Sequence, residues 1–126
     1  IELEARAAQP GPTYAYQLDW SSPVDGGRWG ACHGLDIPLV FGTLDAQESL
    51  TGNGAEARAV SRQIGDAFLA FARSGHPAHA GLPAWQPYRL EERATMIVDV
   101  ESRVENDPRR EERRLFEKVP FIQQGT

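Results

Sequence analysis

The sequence predicts an α/β architecture on three observations: alternating apolar residues over 13–20, an amphipathic helical repeat over 56–73, and a β-branched run over 95–100. The 126 residues are 40% hydrophobic and 9% aromatic, enough to bury a core. No internal repeat or low-complexity tract interrupts them, so residues 1–126 are read without an internal domain boundary.

Pro10-Gly11-Pro12 is a turn signal that the first strand must follow. Beyond it Tyr14, Tyr16, Leu18 and Trp20 alternate with smaller or polar residues, which predicts a strand with one buried face. The turn formers from Ser21 to Gly27 make a loop that delivers the chain to His33. The apolar run from Leu35 to Gly42 is too short for periodicity to separate a helical turn from an extended segment. Thr43 to Gly54 is polar and glycine-bearing, and reads as an exposed connection.

The clearest element is the helix over 56–73, where Ala57, Val60, Ile64, Ala67, Phe68 and Phe71 recur at three- and four-residue steps. Gly75 is placed to terminate it in a left-handed conformation, while Gly65 weakens it by about 1 kcal/mol relative to alanine. An irregular Pro- and Gly-rich stretch follows to Pro87, and then a second short strand over 95–100. Asn106-Asp107-Pro108 supplies a capping residue and a first-turn proline for a final polar helix ending near Lys118.

A formal net charge of -5 argues against nucleic acid or an anionic membrane surface as a partner. Arg109, Arg110, Arg113, Arg114 and Lys118 are interleaved with Glu111, Glu112 and Glu117, the pattern of a solvated helix face. No apolar run reaches the roughly 20 residues of a membrane-spanning helix. One cysteine, Cys32, requires no oxidising compartment and tilts the expected location slightly toward the cytoplasm. The opening from Ile1 lacks the regions of a signal peptide, and we expect a chain cut from something longer.

Histidine suits proton transfer near neutral pH, and His33 stands between Gly30, Ala31 and Gly34, where a catalytic partner could approach the ring closely. A lone loop histidine is more often simply solvated. The surrounding residues change that weight: Gly30-Ala31-Cys32-His33-Gly34-Leu35-Asp36, followed by the apolar run ending Phe41-Gly42, resembles the histidine segment of type-B carboxylesterases. Tyr14 to Asp19 is similar to the family's preceding strand, and Phe68 to Pro77 to its aromatic helix end. Trp85-Gln86-Pro87-Tyr88 and Thr95 to Asp99 resemble the segments that follow, so the likeness runs over about 12–108. Asp36 stands where the family usually has glutamate, Phe68 where tryptophan is common, and His76 where aspartate is usual.

The resemblance implies the C-terminal portion of a single α/β-hydrolase domain, with His33 as the base of a Ser-acid-His triad. Asp36 is read as a structural anchor for the loop. None of Ser21, Ser22, Ser49, Ser61, Ser74 or Ser102 lies in a G-x-S-x-G elbow, and a chain order of Ser, acid, His leaves only the histidine in such a portion. The implied activity is carboxylic ester hydrolysis through an acyl-enzyme, with a small-molecule ester as substrate and neither metal nor organic cofactor. The implied partner is the missing upstream portion, on the same or a separate polypeptide; alone, the chain is expected to be inactive. The alternative is a binding role, because the family includes adhesion proteins that keep the fold and lose the serine. An independent interaction domain is a third, weaker reading.

Three further features have two readings each. Cys32 beside His33 is a nucleophile or a buried thiol, although adjacent side chains usually diverge. His76 and His79 begin a metal site or belong to an ordinary loop. Trp29 lines a pocket near His33 or packs under its loop.

Overall fold

The computed structural model describes residues 2–119. Its sheet has the order β1-β2-β3, formed by Ala15–Leu18, Ala94–Val98 and Arg103–Asn106. β1 is parallel to β2, with Tyr16 opposite Met96, and β3 is antiparallel to β2, with Val104 opposite Met96. All five residues of β2 are buried. A strand paired on both edges and covered on both faces has no polar side to present, which is why Met96-Ile97-Val98 lacks alternation.

Between β1 and β2 the chain forms α2 (Asp36–Phe41) and α3 (Ala55–Ser74). Ala57, Val60, Ile64 and Ala67 on α3 are buried in a core shared with Leu35, Leu39, Trp20, Met96 and Val98. Val60 and Ile64 retain no exposed surface, and burying each contributes roughly 1.5–3 kcal/mol. The helix ends as its sequence predicts: Gly75 has φ 75°, and its N–H donates to the Phe71 carbonyl at 2.8 Å.

Gly65 has a packing reason. A Cβ there would stand 3.1 Å from the Val40 carbonyl oxygen, so its absence lets α3 approach the backbone of α2. Ser61 fastens the same contact, its hydroxyl donating to the Leu39 carbonyl at 2.7 Å. The short apolar run that periodicity left undecided is therefore a helix, held by the longer one beside it. Pro38 is tolerated in its first turn, and Gly42 closes it with φ 66°.

Several expectations are corrected. The buried residue of β1 is Ala15, at 2% exposure, while Tyr14, Tyr16 and Leu18 are only partly buried against the core. Phe68 and Phe71, the last members of the α3 repeat, remain 42% and 46% exposed. These aromatic side chains meet edge to face, with centroids 5.9 Å apart for Tyr16 and Phe68 and 6.0 Å for Tyr14 and Phe71. Among the described residues no further layer closes over them.

The connection after Thr43 is not wholly exposed, because Leu44 and Thr51 are buried anchors. β3 was not anticipated: Arg103-Val104-Glu105-Asn106 is short and polar, and it pairs because β2 offers an edge. The last helix, α4 (Arg110–Phe116), begins later than the cap signal implies, since Asn106 belongs to β3 and Asp107 turns the chain with φ 51°. The Asp107 carboxylate accepts from Arg113 at 2.7 and 2.9 Å and from Arg110 at 3.2 Å instead of capping the helix. The Arg113 hydrogen bonds, aided by Arg110, hold this carboxyl down at about 2. Charged residues on and just before α4 pair along the exposed surface, as Arg109 does with Glu112 and Arg114 with Glu111.

Ahead of β1 lies α1 (Glu2–Ala7), which has no buried residue and is tied down by a 2.8 Å ion pair from Glu4 to Arg93. Among the described residues no helix is long and apolar enough to cross a membrane.

Candidate active site around His33

After β1 the chain makes a loop fastened at both ends. The Ser22 N–H donates to the Gly30 carbonyl at 3.0 Å, while the buried Ser22 hydroxyl donates to the Leu50 carbonyl and accepts from the Val24 N–H. Gly30 and Gly34 have φ 55° and 79°, left-handed values that other residues rarely adopt, so the turn around His33 needs glycine on both sides. The Leu35 N–H then donates to Cys32 and the Ile37 N–H to Gly34, each at 3.2 Å, winding the chain directly into α2. Leu35 is buried under this turn.

His33 is exposed on the turn, and no side-chain hydrogen bond ties it among the described residues. It borders a recess of about 240 Å³ shared with Gly34, Pro38, Glu48, Ser49 and Leu50. The imidazole is thus held by its backbone and left open at its ring nitrogens. Such a group can exchange a proton with whatever is brought against it.

Asp36 has the contact an anchor requires: the Tyr16 hydroxyl donates to its Oδ2 at 2.7 Å. This bond joins the first residue of α2 to the middle of β1, three residues beyond His33. Burial, reinforced by the neighbouring Asp36 carboxylate, pushes the Tyr16 phenol above its ordinary range, so it remains a donor. Sequence alone could not pair Tyr16 with Asp36, because the partnership depends on where the loop returns.

The secondary candidates separate. Cys32 packs against the core while His33 faces outward, so the two adjacent side chains diverge. Trp29 is 41% exposed, with its indole N–H on Asp25 at 3.0 Å and the Arg28 guanidinium 4.4 Å above its ring. It therefore sits on the surface of its own loop, not beneath it. His76 contacts the Tyr14 hydroxyl at 2.6 Å, and His79 the Gln63 carbonyl at 2.9 Å, two separate places. Among the described residues no group of three or more His, Cys, Asp or Glu could hold a metal ion.

Several serine hydroxyls have local structural partners. Besides Ser22 and Ser61, Ser74 donates to the Ala70 carbonyl at 2.9 Å, and Ser102 to Gln63 Oε1 at 2.7 Å. None is presented on a sharp strand-to-helix turn in the manner of an activated nucleophile.

The carboxylesterase family model matches residues 2–116. The chain belongs to that family, of the type-B class, and its fold is the C-terminal part of an α/β-hydrolase. It is 36% identical over 108 residues to the para-nitrobenzyl esterase of Bacillus subtilis, a match covering 83% of this chain and 22% of that protein. The phenmedipham hydrolase of Pseudarthrobacter oxydans is 34% identical over 91 residues, covering 69% and 18% respectively. A carboxylesterase structure from Geobacillus stearothermophilus superposes with TM-score 0.76 at 36% identity, covering 89% of this chain and 23% of that one. An esterase from Clostridium hathewayi that can hydrolyse aliphatic aromatic polyesters gives TM-score 0.80 at 26% identity, covering 94% and 23%. The chain thus spans about a fifth of the length of the curated relatives it matches.

Proposed function

We propose that this chain supplies the histidine of a serine carboxylesterase, and that residues 1–126 form the closing part of one α/β-hydrolase domain without an internal boundary. The observation that carries the reading is an outward-facing His33, without a side-chain hydrogen bond among the described residues, on a turn held by Gly30, Gly34 and the Tyr16–Asp36 bond. A structural histidine would have its ring engaged locally, as His76 has through Nδ1 and His79 through both ring nitrogens.

In the complete enzyme a serine from outside this chain attacks the ester carbonyl while His33 takes its proton. The negative charge on the carbonyl oxygen is met by backbone N–H groups that also lie outside the chain. His33 returns the proton to the leaving alcohol, then takes one from water as the acyl-enzyme is hydrolysed. A carboxylate from outside the chain fixes the imidazole tautomer. Esters of small or aromatic alcohols are the proposed substrate class, and no step calls for a metal or organic cofactor.

The test is fluorophosphonate labelling of the native sample with intact-mass analysis, followed by His33→Ala. An adduct on a serine outside this chain, together with a loss of turnover of about 10⁴-fold or more in the variant, supports the reading. An unchanged rate in His33→Ala rejects it. Serine-probe-sensitive turnover by this chain alone would reject its proposed inactivity, and absence of any adduct in the complete protein would favour the family's binding members.

A further inference from the structure

The connection from α2 into α3 ends in Gly52-Asn53-Gly54, and Asn53 stands exposed just before the first turn of α3. An asparagine followed by glycine sets its side-chain amide beside a backbone nitrogen that no Cβ shields. At Gly54 the space is open, since nothing lies within 4 Å of where a Cβ would be. Among the described residues no hydrogen bond engages the Gly54 N–H.

The surroundings of Asn53 add what the dipeptide lacks. Arg58, on the first turn of α3, donates through Nη2 to Asn53 Oδ1 and through Nε to the Asn53 carbonyl at 3.2 Å, so a cation rests on the side-chain amide oxygen. The Asn53 amide N–H donates in turn to Asp45 Oδ1, which also lies 3.9 Å from the Arg58 guanidinium. Negative charge that gathers on Oδ1 when a nucleophile adds to Cγ is met by Arg58, as an oxyanion is met by its donors. The Gly54 nitrogen itself stands at the N-terminus of a 20-residue helix, whose dipole favours negative charge there.

We infer that Asn53 is a site of self-modification, at which the Gly54 nitrogen displaces the side-chain amide to give isoaspartate and aspartate. The Gly54 N–H gives its proton to hydroxide, the nitrogen bonds to Asn53 Cγ, and the Cγ–Nδ2 bond breaks as ammonia departs with a proton taken from water. Water then opens the cyclic imide at either carbonyl, forming aspartate or, with an extra methylene in the main chain, isoaspartate. A new carboxylate replaces the donor that Asp45 accepted, so that contact becomes repulsive while the contact with Arg58 becomes an ion pair. The altered segment also braces the His33 loop: a Cβ on Gly52 would stand 3.4 Å from Pro23, and the Leu50 carbonyl holds the Ser22 hydroxyl.

The test is scored on mass, so it stands or falls separately from the catalytic role of His33. The native protein is held in mildly alkaline buffer at physiological temperature, sampled over time, digested and mapped by electron-transfer fragmentation, with isoaspartate counted by enzymatic methyl transfer. Asn106, the other asparagine of the sequence, is paired with Ala94 in the sheet and precedes Asp107, which makes it the internal control. Asn53 should become about 1 Da heavier, and do so about tenfold faster than Asn106 or more. Arg58→Gln, at a half-exposed helix position, should slow the conversion by about fivefold, less than the loss of a donor from a closed oxyanion site because solvent screens this one. Gly54→Ala should nearly stop it, and φ -73° at Gly54 lets alanine fit without strain. No conversion at Asn53, equal conversion at Asn106, or an unchanged rate in Gly54→Ala overturns the inference. A parental rate in Arg58→Gln makes the reaction a property of the dipeptide alone and overturns the part assigned to the fold.

Discussion

Around β3 and α4 the charged groups find partners within the chain: Asp107 holds Arg113 and Arg110, Arg103 meets Glu105, and Arg93 joins Glu4 to Tyr88. Around β1 and α2 the Tyr16–Asp36 bond stands beside less settled groups: among the described residues His33 has no side-chain hydrogen bond, Phe68 and Phe71 are half-exposed, and Trp85 Nε1 is buried without an acceptor. The difference is one of charge pairing and not of apolar cover, because Leu115 and Phe116 on α4 are exposed as well. Stability on the first side derives from contacts the chain makes alone. The second side is shaped by local packing, and it leaves a histidine and two aromatic rings at the surface.

Three substitutions sharpen this contrast. The largest effect is expected from Gly65→Val, which forces bulk against the Val40 carbonyl where even a Cβ would stand at 3.1 Å. It should cost about 3 kcal/mol and lower the denaturant midpoint, despite glycine's poor helix propensity. A midpoint equal to that of the parent protein would show that the close approach of α2 and α3 is not needed.

Tyr16→Phe comes next. It leaves the ring against Phe68 but removes the donor to Asp36, with an expected loss of about 1–2 kcal/mol. In the complete enzyme it should also slow fluorophosphonate labelling, because the His33 turn loses its tie to β1. Labelling at the parental rate would make the bond a matter of stability alone.

The smallest effect is expected on the charge-paired side, around β3 and α4. Asp107→Asn should cost on the order of 1 kcal/mol at neutral pH, since partly exposed ion pairs are screened by solvent. Its pH dependence is the sharper reading. The folded-state carboxyl titrates at about 2 against an ordinary value of 3.8, so the parent's stabilisation is present above about pH 4 and lost as the pH falls toward 2. Unfolding midpoints of parent and variant should therefore converge across that window, and a constant gap would contradict the assignment.

The same contrast explains what the sequence made legible. α3 was readable because its buried stripe, Ala57, Val60, Ile64 and Ala67, depends only on helical spacing. Phe68 and Phe71 continue that spacing but have no covering layer among the described residues, so the periodic pattern marked them apolar without telling that they would be exposed. β1 carries the same lesson. Its aromatic alternation marks a face meant for contact, while Ala15 is the residue the chain actually seals. α2 was undecidable locally because the neighbouring α3 fixes it, and β3 was invisible because a polar tetrapeptide becomes a strand only beside β2.

At the site, the placement of His33 on a glycine-flanked loop after a strand was legible from its neighbours. The Tyr16–Asp36 bond and the buried Ser22 fastening were not, because each joins residues whose proximity is created by folding. The cap signal at Asn106-Asp107-Pro108 misplaced the start of α4 for a related reason: arginines further along the chain compete for the Asp107 carboxylate.

The parallel pairing of β1 with β2 also has a temporal side. Ala15 lies opposite Thr95, about 80 positions later, so the ribosome must add that length before the first strand gains its neighbour within the chain. At roughly 5–20 residues per second the wait is roughly 4–16 s, far longer than helix formation requires. During synthesis, α3 is free to fold while Tyr14 and Tyr16 still lack the sheet beside them. The strand that precedes the histidine is thus paired with β2 late, after the helix between them has had time to form.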